Sequence, residues 1–178
     1  REAVLGERHP RLIGLLDRLA LLARAQGQTE QVGVLSQRSL ELSRELLGER
    51  ASTTTHQRIN RARLLAEQGQ LEEAARLYAQ AVRSIEAGQP LDREQLAGTC
   101  KDLAEIRRAQ GALDEAEDWY RRARASWVKL DEKHPKLAFV HYGLARIYAQ
   151  RGQTGQAEGE LRSALELLTG CQEPDHRL

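Results

Sequence analysis

The chain has 178 residues, a formal net charge of +1 at pH 7 and 30% charged residues. This near-neutral balance argues against a nucleic-acid or other polyanion binder, and no apolar run approaches the length of a membrane span. Aromatic residues make up only 4% and Met is absent, so a core must consist mostly of Leu, Ala, Val and Ile.

The two cysteines, Cys100 and Cys171, form neither a disulfide framework nor a zinc-binding pattern. A reducing, cytoplasmic location is therefore expected. Arg outnumbers Lys by 23 to 4, which together with abundant Ala, Leu and Gln is typical of a GC-rich, bacterial genome. The first residue is not Met, so we expect a fragment of a longer protein.

In chain order, residues 1–4 are predicted to end one helix, and the octet LGERHPRL (5–12) leads into the next. Pro10 and Pro135 suit the first turn of a helix, where the missing N–H costs nothing. Thr29 and Thr154 are predicted to cap helices. The predicted helices span 10–25, 30–46, 53–67, 71–87, 92–109, 113–129, 135–150 and 155–169.

A glycine recurs along the chain with spacings of 42, 42 and 41 residues. Other positions keep constant offsets from it at helical spacing, so each repeat is predicted to be two amphipathic helices joined by a glycine-containing turn. The glycines are Gly27, Gly69, Gly111 and Gly152; seven positions before them stand Ala20, Ala62, Ala104 and Ala145, five after stand Val32, Ala74, Ala116 and Ala157, and nine after stand Ser36, Tyr78, Tyr120 and Leu161.

This pattern resembles the tetratricopeptide repeat (TPR) family over nearly the whole chain. The clearest match is LARIYAQRGQTGQAEGELRSALEL, residues 144–167, and the 42-residue period with His-Pro entries is similar to the kinesin-light-chain subtype. The resemblance implies an all-α, right-handed superhelical solenoid of tandem two-helix repeats. The predicted boundaries are 1–9 for the end of a preceding repeat, 10–51, 52–91, 92–134 and 135–170 for four repeats, and 171–178 for the entry to another.

Two near-identical octets, LGERHPRL and LDEKHPKL, lie 125 residues apart. His9 and His134 are therefore three repeats apart, too far to share a metal or catalytic centre. We interpret both octets as helix-entry sequences. Cys100 falls on an apolar helix stripe and is predicted to be a buried thiol. No nucleophile–base pair, phosphate loop or metal-ligand spacing is found, so we expect neither an enzyme nor a cofactor or metal.

The resemblance also implies that the first helix of each repeat lines a concave groove that binds a peptide or partner segment. Arg heads would pair with ligand carboxylates, Asn60 would hold the ligand backbone, and Tyr142 would pack against a ligand side chain. The alternative is a solvated helix face whose charges pair with one another. The predicted groove residues are Arg18, Arg24, Asn60, Arg63, Lys101, Asp102, Arg108, Tyr142 and Arg146.

Arg58 and Arg61 occupy positions where the first repeat has leucines. Three interpretations stay open: their stems pack while the heads reach water, they pair with acids, or they form an anion or partner contact together with His56 and Arg63. The acids considered are Glu72, Glu73 and Glu86. Of the two tryptophans, Trp127 is predicted to be core, and Trp119 to be either a half-exposed packing residue or an outer contact.

The predicted function is a protein- or peptide-binding scaffold whose basic groove recognises acidic residues. One alternative is a regulatory or sensor arm of a larger signalling ATPase or protease, which would contact other domains of its own chain. Another is a self-assembly module that associates through exposed apolar stripes. Neither nucleic acid nor membrane is expected as a partner.

Overall fold

The computed structural model describes residues 9–170, and over this range the chain forms eight α-helices and no strand. The predicted all-α class is confirmed, and each predicted helix matches an observed one with ends within two residues. The helices are α1 Arg11–Ala25, α2 Thr29–Leu47, α3 Ser52–Glu67, α4 Leu71–Glu86, α5 Arg93–Ala109, α6 Leu113–Val128, α7 Leu137–Gln150 and α8 Thr154–Gly170.

The chain divides into two compact units, unit 1 (Arg1–Leu91) and unit 2 (Asp92–Leu178). In unit 1, α1 packs on α2, α2 on α3 and α3 on α4; in unit 2, α5 packs on α6, α6 on α7 and α7 on α8. None of the eight helices is both long enough and apolar enough to traverse a bilayer.

One turn geometry joins the helices of each pair. The four marker glycines adopt φ values of 72° to 79°, the left-handed region that other residues rarely enter. The residue after each glycine donates its N–H to a carbonyl of the preceding helix, which is the Schellman arrangement for ending a helix. These bonds are Gln28 N to Ala23 O (2.9 Å), Gln70 N to Leu65 O (2.8 Å), Ala112 N to Arg107 O (3.0 Å) and Gln153 N to Tyr148 O (2.8 Å).

The predicted threonine caps are wrong. Thr29 and Thr154 are the first residues of their helices, and Gln28 at the N-cap of α2 makes no side-chain cap bond. The reason is that each second helix begins two residues after its glycine, so the N-cap position falls on the residue before the threonine, which is Gln28 in α2. Pro10 is the N-cap of α1, whereas Pro135 lies in the turn before α7.

The two octet histidines have the same local role at helix entries. His9 Nδ1 accepts the backbone N–H of Arg11 at 3.2 Å, and His134 Nδ1 accepts that of Lys136 at 3.2 Å. Each imidazole thus satisfies a donor that the start of a helix leaves without a partner. These bonds support the interpretation of the octets as helix-entry sequences; residues 5–8 of the first octet lie outside the described residues.

Small residues lie where paired helices approach closely, and large ones fill the remaining space. Ala62 and Ala104 are fully buried, as is the Cys100 thiol. Trp127 is buried and its prediction as core is confirmed. Trp119 is half-buried, with the guanidinium of Arg122 lying 4.5 Å from its ring centroid.

Candidate functional site

In unit 1, the predicted groove residues lie on α1 and α3. Arg18, Asn60 and Arg63 have exposed side chains. Arg24 is also exposed and forms an ion pair with Glu67 at the end of α3. Such an exposed pair contributes little to stability and remains accessible to a competing anion.

In unit 2, all three predicted cationic groups have intramolecular partners. Lys101 Nζ lies 2.6 Å from Oδ1 of the adjacent Asp102. Arg108 donates from Nη2 to Glu105 at 3.1 Å, and its side chain is only 13% exposed. These contacts are the internal charge pairing that the sequence left open as the alternative to ligand binding.

Arg146 on α7 differs from Arg108 because it stays accessible. Its side chain is 41% exposed, its Nη1 lies 3.6 Å from Glu105, and its guanidinium lies 5.7 Å from the ring centroid of Tyr142. Glu105 is already held by Arg108 through two N–H bonds. One carboxylate therefore serves two guanidinium groups, and a positive charge is left on the α7 side.

Glu105 stays ionised although it is partly buried. Burial favours the neutral acid, but interactions with Tyr120, Arg108 and Arg146 outweigh burial and lower the pKa of Glu105. Burial and the neighbouring Glu105 raise the pKa of Tyr120. The Tyr120 hydroxyl interacts with this carboxylate electrostatically, although its buried Oη makes no hydrogen bond of standard geometry.

The proposed contact of His56, Arg58 and Arg61 is not assembled as one group. His56 is exposed, and its Nδ1 lies 2.9 Å from the carbonyl oxygen of Ser52 on the same helix. Arg58 is buried and pairs with Glu49 in the α2–α3 turn, while its Nη1 donates to Ser84 Oγ at 3.1 Å.

Arg61 points to a different place, between α2 and α3. Its Nη1 donates to the carbonyl of Gly33 at 3.0 Å and to Ser36 Oγ at 3.1 Å. The acids expected as partners, Glu72, Glu73 and Glu86, were therefore wrong for both arginines. Glu49 was overlooked because it lies in a turn whose direction the helical pattern does not define.

Two family models identify the chain. A tetratricopeptide repeat model matches residues 95–169, and a second tetratricopeptide repeat model matches residues 55–80. The chain belongs to the tetratricopeptide repeat family. Among curated proteins, none matches it significantly. TPR membership supports a role as a protein–protein interaction scaffold.

Solved TPR-like structures match nearly the whole chain in fold. BtubC (BKLC) from P. vanneervenii matches with a TM-score of 0.85 and 20% identity, covering 98% of this chain and 71% of its own. The kinesin light chain TPR-like repeats of Podosopora anserina match with a TM-score of 0.82 and 24% identity, covering 95% and 80%. The apo form of RapI matches with a TM-score of 0.79 and 15% identity, covering 96% and 58%. These likenesses confirm the predicted fold class.

Phe139 is an exposed aromatic residue of the TPR array that was not predicted as a site residue. Phe139 on α7 is 60% exposed and lies one helical turn before Tyr142, which is 52% exposed. Phe139 precedes its turn glycine by 13 positions, where the other repeats carry Gly14, His56 and Gly98. An aromatic at a position that is otherwise small or polar was the signal available in the sequence.

The serines that distinguish the first TPR repeat are explained by the buried polar groups opposite them. Ser36 stands where later repeats carry Tyr78 and Tyr120, and the Arg61 head occupies that side of α2 and bonds to it. Ser39 Oγ donates to Asp17 at 2.9 Å, and Gln57 Nε2 donates to the same carboxylate at 2.7 Å. The serines of the first repeat therefore occur together with polar residues on α1 and α3 that bond to them or to their partners, because buried polar groups need hydrogen-bond partners.

Among residues 9–170, no group of three or more His, Cys, Asp or Glu side chains is arranged to hold a metal ion.

Proposed function

We propose that the chain is a TPR scaffold that binds peptide or partner segments carrying acidic residues, through the exposed face of α7 in unit 2 and through those of α1 and α3 in unit 1. The observation that carries the proposal is a row on α7 of two exposed aromatic residues, Phe139 and Tyr142, and the half-exposed Arg146. These residues are three and four positions apart, so they share one helix face. Two aromatic surfaces beside a cation suit a ligand that has both an apolar and an acidic group.

Arg146 is suited to bind a ligand carboxylate. Its guanidinium is held near Tyr142, which reduces the side-chain entropy lost on binding. Its contact with Glu105, at 3.6 Å, is longer than that of Arg108. A ligand carboxylate could therefore bind Arg146 without displacing the Arg108–Glu105 pair.

In unit 1, the same proposal assigns ligand contacts to Arg18 and Arg63 and a backbone contact to Asn60. All three side chains are exposed. An Asn amide can donate and accept, which matches the N–H and C=O of an extended peptide. Arg24, Lys101 and Asp102 contribute as paired charges that set the local potential, and Arg108 positions Glu105.

The test is comparative affinity capture with two triple variants of equal charge. The first changes Arg18, Arg63 and Arg146 to Glu; the control changes Arg38, Arg76 and Arg162, exposed arginines on α2, α4 and α8, to Glu. Both must retain the parent's circular dichroism spectrum. A protein held by the parent and the control but lost by the first variant would support the proposal. Equal retention by both variants, or equal loss, would contradict it.

A second candidate function is self-association. The α8 helix leaves Leu161, Leu165 and Leu168 exposed, and they recur at three- and four-residue spacing. Sedimentation over a wide concentration range would detect the association. A mass that stays monomeric at the highest concentration would exclude it for this chain.

A further inference from the structure

A cavity of about 370 Å³ in unit 1 lies apart from the exposed faces proposed to bind peptide. Four arginines and a single glutamate line it, together with polar side chains of α4, and the cavity volume is near the lower end of the range for small-molecule sites. The lining residues, called the arginine pocket below, are Arg44, Glu49, Arg50, Arg58, Gln80, Arg83, Ser84 and Ala87.

The only carboxylate in this lining is already shared. Arg44 donates from Nε to Glu49 Oε1 at 2.6 Å, and Arg58 pairs with Glu49 Oε2. Arg50 and Arg83 also line the pocket, so the positive charges exceed what Glu49 can neutralise. The arginines of the pocket already bind one oxyanion, the Glu49 carboxylate, and their number is sufficient to bind a second one.

Arg58 forms the buried side of the pocket. Its side chain is 4% exposed, and Ser84 Oγ, 3.1 Å from Nη1, fixes its orientation. Burial lowers the pKa of Arg58, Glu49 opposes this effect, and the neighbouring Arg44 and Arg83 lower the pKa further. Arg44 and Arg83 therefore add positive potential around Arg58, and Glu49 opposes it.

Helix ends explain only part of this clustering. Arg44 and Arg83 lie in the last turns of α2 and α4, where cations complement the helix dipole. Arg50 lies in the α2–α3 turn and Arg58 in the middle of α3, so the dipole accounts for neither. We propose that the arginine pocket binds a small phosphorylated ligand, whose phosphate group is held by Arg50 and Arg83 above the Glu49–Arg58 pair.

The experiment uses pyrophosphate and inorganic phosphate as probes, titrated calorimetrically into the chain at constant ionic strength, with citrate as a carboxylate comparison. The pocket variant carries Arg50→Gln and Arg83→Gln, which leave the Glu49–Arg58 pair intact. The control carries Arg38→Gln and Arg76→Gln, two exposed arginines of the same unit. We expect the parent and control to bind pyrophosphate alike, and the pocket variant to bind about tenfold or more weakly.

A further variant tests the role of Glu49. Glu49→Gln removes the competing carboxylate, so we expect it to bind pyrophosphate several-fold more tightly than the parent. The proposal is overturned by any of three results: no binding by the parent at millimolar probe, equal weakening in the pocket and control variants, or citrate binding as tightly as pyrophosphate. None of these results bears on the peptide-binding proposal, whose test variant changes Arg18, Arg63 and Arg146 instead.

Discussion

Gly143 on α7 lies against the ring of Tyr120 on α6, so closely that a Cβ at residue 143 would overlap the ring carbons. Tyr120 is fully buried, and buried side chains are closely packed. In the preceding repeats the position of Gly143 carries Arg18, Asn60 or Asp102. The absence of a side chain here is therefore a packing requirement of the α6–α7 contact.

Gly143→Ala is expected to destabilise the protein by about 1–3 kcal/mol, because overpacking outweighs the usual gain from replacing a helical glycine. Urea unfolding followed by circular dichroism measures the change. The matched control is Gly98→Ala in α5, where a Cβ would meet open space. That control should be neutral or stabilising by up to about 1 kcal/mol.

The cause of the Gly143 effect can be tested by changing its neighbour. Tyr120→Leu introduces the residue that the next repeat carries at Leu161 and removes the ring that would collide. Gly143→Ala should then cost clearly less in the Tyr120→Leu background than in the parent. Equal costs in both backgrounds would show that the collision with the ring is not the cause.

The Glu49–Arg58 pair should respond asymmetrically to loss of its members. Glu49→Gln leaves a buried guanidinium without its carboxylate and is expected to cost about 1–3 kcal/mol of unfolding free energy. Arg58→Leu introduces the residue type that the first repeat carries at the equivalent position, Leu16. Glu49 then stays exposed beside Arg44, so the unfolding free energy should change by no more than about 1 kcal/mol. Chemical denaturation of both variants checks this, and a larger cost for Arg58→Leu would reverse the interpretation.

Glu94 joins three groups at the start of α5. It accepts the indole N–H of Trp127 at 2.8 Å, pairs with Lys136 and lies 3.4 Å from His134 Nε2; His134 also stacks on Trp127, with ring centroids 5.8 Å apart. Glu94→Ala leaves the buried indole N–H without an acceptor and should cost about 1–3 kcal/mol. It should also alter the tryptophan emission spectrum.

The control for Glu94 is Glu158→Ala, which breaks an exposed pair with Arg162. Its expected effect is below about 0.5 kcal/mol, because exposed pairs contribute little. If both substitutions cost the same and neither changes the emission, the Trp127–Glu94 bond has no special role.

Glu117 should make part of the stability depend on pH. Burial tends to raise its pKa, but the bonds from Arg151 and Tyr148 and the charge of Arg121 lower it below its usual value. In the unfolded chain a Glu carboxyl titrates at about pH 4.3. The contribution of Glu117 to the free energy of unfolding is therefore present above that pH and is lost as the pH falls through the lower pKa of the folded state.

The corresponding experiment compares the parent with Glu117→Gln by urea unfolding at about pH 7 and about pH 3.5. The parent should be the more stable at the higher pH, and the difference should shrink at the lower pH. Other acids with lowered pKa values, such as Glu94 and Glu105, affect both proteins equally and cancel in the comparison. A difference that does not change with pH would contradict the assignment.

The helices and their turns could be predicted closely because they depend on neighbours in the chain. At each recurring glycine, the residue that follows it donates its N–H to a carbonyl five residues earlier, as Gln28 does to Ala23, and the helix ends there. The candidate site was predicted less completely. Arg108 was predicted to bind ligand because of the helix face on which it lies. Its guanidinium instead forms an ion pair with Glu105, three positions before it on the same helix.

The sequence by itself determined the all-α class, the pairing of helices around glycine turns, and the buried alanines, because these follow from local backbone conformation and helical periodicity. Only the tertiary structure decided which charges are paired within the chain and which stay exposed. Arg58 lies beside Glu49 rather than Glu86, and Gly143 makes room for Tyr120, because helix packing brings together groups whose sequence spacing carries no signal. The long, flexible arginine side chains make this choice depend on the packed neighbours, not on helix face alone.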